Sequence, residues 1–110
     1  MTLKDWQDWV AAFDAERGWE GVRDEHVALH LVEELGEIAR ELLRQSGYKE
    51  GEARLGEEIA DLLLLLFKLA NQQGIDLEAA LEAKARELTE RFPIEEARAA
   101  MRRYRSRHAD

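Results

Sequence analysis

The chain has 110 residues, a formal net charge of −8 and no cysteine, which points to a single domain and excludes disulfides, zinc–thiolate sites and cysteine nucleophiles. Its longest apolar run, Leu62 to Phe67, is far short of the ~20 residues of a membrane helix; neither a signal peptide nor a membrane anchor is expected, and the cytoplasm is the default compartment. The acidic body argues against nucleic-acid binding, although residues 98–110 hold five Arg against one Asp, for which a solvated helix face is the simpler account.

Ala, Leu, Glu and Arg dominate and only one proline interrupts them, so helix is the local preference nearly everywhere and no strand is expected. The first predicted helix starts at Thr2, whose hydroxyl caps it while Asp5 completes a capping box, and places Leu3, Trp6, Val10 and Phe13 on one stripe. It ends near Arg17 and Gly18, and the linker GWEGVRDEH carries Trp19. Asp24 is the expected cap of a second helix, from about Glu25 to Gln45, with Val27, Leu31, Leu35, Ile38 and Leu42 as its apolar face. Ser46 and Gly47 stop it, and GYKEGEARLG leads into a third helix from about Glu52 to Gln73, closed by Gly74.

A connection of this length makes the second and third helices antiparallel neighbours. The run LLLLLF is apolar on every side of its turns, so one flank is expected to meet a second subunit. Asp76 is the expected cap of a fourth helix that Pro93 terminates, and a thin last helix begins at Ile94.

Acidic residues stand inside the apolar stripes of the two central helices: Glu33, Glu34 and Glu37 in the first, Glu57, Glu58 and Asp61 in the second. Residues three apart share a helix face, so Glu34 with Glu37, and Glu58 with Asp61, each project two carboxylates in one direction. Glutamates on helices usually face water. Asp61, however, is a poor helix former immediately followed by six apolar residues, and needs another reason to be there. Carboxylates gathered beside an apolar surface repel one another unless a cation sits among them. An all-carboxylate set without His or Cys suits Mg²⁺, with Mn²⁺ as a substitute. His26, His30 and His108 read as helix-surface or core residues rather than ligands; an outer role for His30, four residues before Glu34, is the alternative.

The phrases VEELGEIARELL and GEEIADLLLLLFKLANQQGIDLEAALEAKARELTERFP together resemble the MazG-like family of all-α nucleoside triphosphate pyrophosphohydrolases. The resemblance runs from about residue 19 to residue 93. It rests on EExxE, ExxD, the stretch LANQQGIDLEAAL, Lys84 and the closing Arg91, Phe92 and Pro93. The opening GWEGVRDEHVALHLVEE is similar to the deoxycytidine-triphosphatase-like branch.

The resemblance implies a four-helix-bundle-type fold completed by dimerisation, with a catalytic domain over residues 1–93 and an Arg-rich helical tail over 94–110. It implies Glu34, Glu37, Glu58 and Asp61 as Mg²⁺ ligands, and Glu33 with Glu34 as the residues that position or deprotonate water. Lys84 and Arg91 would approach the triphosphate. Where family members often carry asparagine four residues after the lysine, this chain has Leu88, and a polar phosphate contact is lost.

The implied reaction is hydrolysis of nucleoside triphosphates, dNTPs or non-canonical NTPs, to nucleoside monophosphate and pyrophosphate, in nucleotide-pool housecleaning by a homodimer or homotetramer. Trp6, Trp9 and Trp19 are candidates for stacking on the base, Trp19 foremost because it precedes the metal helix. Two rivals remain: a phosphoribosyl-ATP pyrophosphatase, and a non-catalytic helical assembly module whose acidic residues are merely solvated.

Overall fold

Thr2 sets the start of the chain's first helix. Its hydroxyl accepts from the Asp5 N–H at 3.1 Å, and the Asp5 carboxylate accepts from the Thr2 N–H at 2.8 Å, so two otherwise orphaned donors are satisfied reciprocally. The computed structural model describes residues 1–51 and 54–109. Five helices follow in order: α1 (Leu3–Glu16), α2 (Asp24–Gln45), α3 (Leu55–Gln72), α4 (Leu77–Arg91) and α5 (Ile94–Arg107), with no strand among the described residues. None of these helices is long and apolar enough to cross a membrane.

Helix α3 is the hub, packing against both α1 and α2. Hydrogen bonds at its two ends fix the sense of each pairing. Asp24, at the start of α2, accepts from Gln72 at 2.6 Å, while Glu41, near the end of α2, accepts from the Arg54 N–H at 2.6 Å; α2 and α3 are therefore antiparallel, as the short connection predicts. Along α1, Gln7 meets Asn71 and Asp14 meets Lys68, so α1 also runs against α3. Val10, Val27, Phe67 and Ala70 form the buried apolar core where the three helices meet.

The buried face of α1 differs from the expected stripe. Val10 is buried, but the other buried residues of the helix are Gln7 and Asp14, whereas Trp6 is 39% exposed. Gln7 is accommodated because every polar atom of its amide is used. Its Nε2 donates to Asn71 Oδ1 at 3.2 Å and to the Ile75 carbonyl at 2.9 Å, and its Oε1 accepts from the Leu77 N–H at 3.0 Å. A buried amide so satisfied costs little and joins α1 to the turn after α3.

Asp24 is not the cap of α2. Arg23 holds the N-cap position without a side-chain hydrogen bond, and Asp24 is the first helical residue, its carboxylate bonded to Gln72, the last residue of α3, and to the C-cap Gln73. Tertiary amide donors have displaced the local capping bond. Helix α3 begins at Leu55 rather than near Glu52, which lies outside the described residues. At its end Gly74 has φ of 67°; Gly74 donates to the Asn71 carbonyl and Ile75 to that of Ala70, the paired bonds of a Schellman cap.

Not all of the expected apolar face of α2 is covered. Leu35 and Leu42 are 59% and 49% exposed, and on α3 so are Ile59, Leu63 and Leu66 to a similar degree. The reason is that α2 packs chiefly against α3, which can cover only part of a stripe this wide.

The chain divides into two compact units, Met1–Leu77 and the residues from Glu78 onward. In the second, α4 stops two residues before Pro93, and Pro93 is the N-cap of α5. Neither helix buries a residue. Leu81, Leu88, Phe92, Ile94, Met101 and Tyr104 are exposed.

Candidate metal centre and adjoining cavity

The antiparallel pairing of α2 and α3 sets Glu34 opposite Glu58 and Asp61. One carboxylate oxygen from each of the three lies within 4.8 Å of the others. Glu34 and Glu58 are half-buried and Asp61 is exposed. Among the described residues no Lys, Arg or His forms an ion pair with any of them. Glu34 Oε2 is buried and has no hydrogen-bond partner among the described residues.

That crowding has an acid–base consequence. The Glu58 carboxyl is held above its ordinary value, first by a hydrogen bond with Glu34 that favours the protonated form, then by partial desolvation and the negative charges of Glu34, Asp61 and Glu37. An orphaned buried carboxylate oxygen and a carboxyl resisting ionisation mark a place short of positive charge. The donor set is all hard oxygen, and it fits a hard divalent cation.

The other acidic candidates have ion-pair partners of their own. Glu37 is close enough to raise the Glu58 pKa, but it pairs with Arg40 one turn on at 3.4 Å and is not one of the three converging groups. Glu33 lies about 100° around the helix from Glu34; it is exposed and paired with His30 Nδ1 at 3.1 Å. Glu57 faces solvent near Arg54. In the second unit, Lys84 pairs with Glu87 at 3.1 Å, and the Arg91 guanidinium lies 5.0 Å from the Phe92 ring centre.

Beside the carboxylates is a cavity of about 590 Å³, with Glu34, Asp61 and His30 in its lining together with Trp9, Phe13 and Trp19. The aromatic side chains form a connected wall: Trp9 stacks on Phe13 with ring centres 5.0 Å apart, and Trp19 meets Phe13 edge-on at 5.9 Å. Gly18 makes this wall possible. With φ of 70°, a conformation costly to side-chain-bearing residues, it turns the chain so that Gly18 and Trp19 donate back to the Ala15 and Asp14 carbonyls. Trp6 contacts Trp9 edge-on and is not part of the lining; Trp9 and Trp19 are.

Two further lining residues had escaped the sequence reading, Asp14 and Lys68. Their side chains form an ion pair at 2.8 Å, each only 11% exposed, and Lys68 also donates to the Trp19 carbonyl at 3.0 Å. The one signal available in the sequence was a lysine standing inside the apolar phrase LLLLLFKLA.

Comparison with known proteins places the chain in a family. Residues 23–95 match the MazG nucleotide pyrophosphohydrolase domain, a span that includes every converging carboxylate. The chain is 33% identical over 112 aligned positions to human dCTP pyrophosphatase 1, covering 94% of this chain and 66% of that protein, and 32% identical to the rat protein of the same name over the same shares. It thus spans about two thirds of the length of these relatives. The uncharacterized protein YvdC of Bacillus subtilis is 30% identical over 103 positions, covering 84% of this chain and 97% of that one. The chain therefore belongs to the MazG nucleotide pyrophosphohydrolase family.

Proposed function

We propose that this protein hydrolyses nucleoside triphosphates, dNTPs or non-canonical NTPs, between the α and β phosphates to give a nucleoside monophosphate and pyrophosphate, and so clears the nucleotide pool. The observation that carries this reading is the convergence of Glu34, Glu58 and Asp61, without a cationic partner among the described residues, beside an aromatic cavity. Membership of the family and the dCTP pyrophosphatases among the relatives support it.

Glu34, Glu58 and Asp61, with Glu37 as a fourth, are the residues proposed to hold Mg²⁺, or Mn²⁺ in its place. A divalent ion bound there would neutralise phosphate oxygens and acidify a bound water. Trp9, Phe13 and Trp19 supply flat apolar faces for the base and keep water from it. The proton of the attacking water goes to a carboxylate of the pair Glu33 and Glu34, with Glu33 oriented by His30. Lys84 and Arg91 are assigned to the triphosphate on the family resemblance.

The test is pyrophosphate release from a panel of canonical and modified NTPs and dNTPs, plus phosphoribosyl-ATP, with Mg²⁺, Mn²⁺ or EDTA. Release that needs metal and stops in EDTA is expected with at least one nucleoside triphosphate. Cleavage of phosphoribosyl-ATP alone would transfer the protein to that activity, and no release from any compound would leave a non-catalytic assembly module.

The exposed stripes of Leu35 and Leu42 on α2 and of Ile59, Leu63 and Leu66 on α3 support a homodimer or a dimer of dimers, since a lone chain would leave this apolar area in water. Light scattering at micromolar concentration is expected to give two or four times the chain mass. A monomer there would remove the oligomer from the proposal.

A further inference from the structure

Stacking a base in an aromatic cavity requires no charge, yet this cavity contains a nearly buried ion pair. Taking Lys68 and Asp14 out of water is costly, and their mutual attraction offsets the cost only in good geometry; two apolar side chains would close the same wall more cheaply. The pair is well formed, at 2.8 Å, and part of its role is to hold Trp19, whose carbonyl accepts from Lys68 at 3.0 Å. An ammonium has three N–H groups. Asp14 and Trp19 occupy two, and Lys68 itself lines the cavity.

We propose that Lys68 reads the nucleobase. Its third N–H donates to a ring carbonyl oxygen of a base stacked against the Trp9, Phe13 and Trp19 wall, so that the site selects oxo-bases (cytosine, uracil, thymine and guanine) over adenine. Adenine has no carbonyl, and its amino group opposite the ammonium would set donor against donor and leave a buried N–H without an acceptor. Asp14 is the positioning residue: it balances the charge of Lys68 and directs it, leaving the head fixed before substrate arrives. The inference rests on the reading that this cavity takes the base of a nucleotide.

The experiment compares kcat and KM for dCTP, dTTP, dGTP and dATP, with Mg²⁺, in the wild type and Lys68→Met. A site that depends on a hydrogen bond to its substrate discriminates strongly against an analogue lacking the partner atom. The wild type is expected to favour at least one oxo-base over adenine by about tenfold or more in kcat/KM. Lys68→Met should erase that ratio, chiefly through KM. Because the single variant strands Asp14 without its partner, the double variant Lys68→Met with Asp14→Leu, which makes the wall apolar, is measured beside it and should lose the same discrimination.

Quenching of tryptophan fluorescence by cytidine, thymidine, guanosine and adenosine in EDTA reads the cavity without hydrolysis, and should show the same order. An active enzyme that takes dATP as well as the others, or whose ratio survives both substitutions, overturns the role of Lys68 and leaves the proposed hydrolysis standing. A protein inactive on every triphosphate overturns the hydrolysis, and the nucleoside titration then decides the base reading: equal quenching by adenosine and the oxo-nucleosides overturns it too.

Discussion

Glu58→Gln is expected to lower the rate of pyrophosphate release by about 10³-fold or more, and at the same time to raise the melting temperature of the metal-free protein at neutral pH. The loss follows from removing one charged oxygen donor from a set that is asked to hold a divalent cation, whose stabilisation of developing phosphate charge is worth several kcal/mol, and each ~1.4 kcal/mol is a factor of ten in rate. The gain follows from relieving repulsion. Without metal, ionised Glu34, Glu58 and Asp61 crowd one another, and the hydrogen bond to Glu34 holds Glu58 protonated to higher pH than an ordinary glutamate.

The sign of the pH dependence is set by that upward displacement. Between its ordinary value of 4.5 and its raised folded value, the folded protein binds more protons at Glu58 than the unfolded chain does, so stability falls as pH rises through this window. Thermal denaturation in EDTA across that range should show Glu58→Gln level with the wild type at the acid end and ahead of it at neutral pH. Added Mg²⁺ should then restore the wild type and leave the variant unmoved. A wild type that is the more stable protein in EDTA at neutral pH would mean that the three carboxylates are not in conflict, and would remove the physical basis for the metal centre.

Phe67→Ala is expected to cost about 3–5 kcal/mol of folding stability, the usual range for emptying a large aromatic site in a core. Phe67 is 2% exposed on α3, and among the described residues the other buried apolar ones are Val10, Val27 and Ala70. It therefore supplies the largest apolar surface where α1, α2 and α3 meet, and a domain with total stability of ~5–15 kcal/mol has little margin to lose it. Urea denaturation followed by circular dichroism measures the cost. Leu63→Ala on the same helix, where the side chain is 46% exposed, should disturb the folding of the chain far less and instead weaken the proposed association between chains. Equal costs at the two positions would show that α3 is buried on both flanks through contacts between chains before it is buried within one.

The elements themselves were legible in the sequence. The capping box at Thr2 and Asp5, the helix stops at Gly18, Gly47 and Gly74, and the break at Pro93 were all read from spacing and residue type, and all five helices lie close to where those signals put them. The pairing of Glu58 with Asp61 on one face follows equally from a separation of three. These are interactions within a turn or two of the same helix, where hydrogen-bond geometry and side-chain direction are set by position in the chain.

What lay outside the sequence is of another kind. Nothing in the spacing of α1 shows that Gln7 and Asp14 would be buried while Trp6 stays partly in water, or that Asp24 would bond to Gln72 instead of capping its own helix. Nor does it show that Glu34 would converge with Glu58 and Asp61 while Glu37 turns to Arg40, or that Lys68 would reach Asp14 across 54 residues of chain. Periodicity determined which residues share a helix face. Which faces oppose one another, and at what height, was decided only when α1 and α2 packed antiparallel onto α3, because the crossing of helices depends on the summed fit of many side chains distant in sequence, and no local spacing encodes that sum.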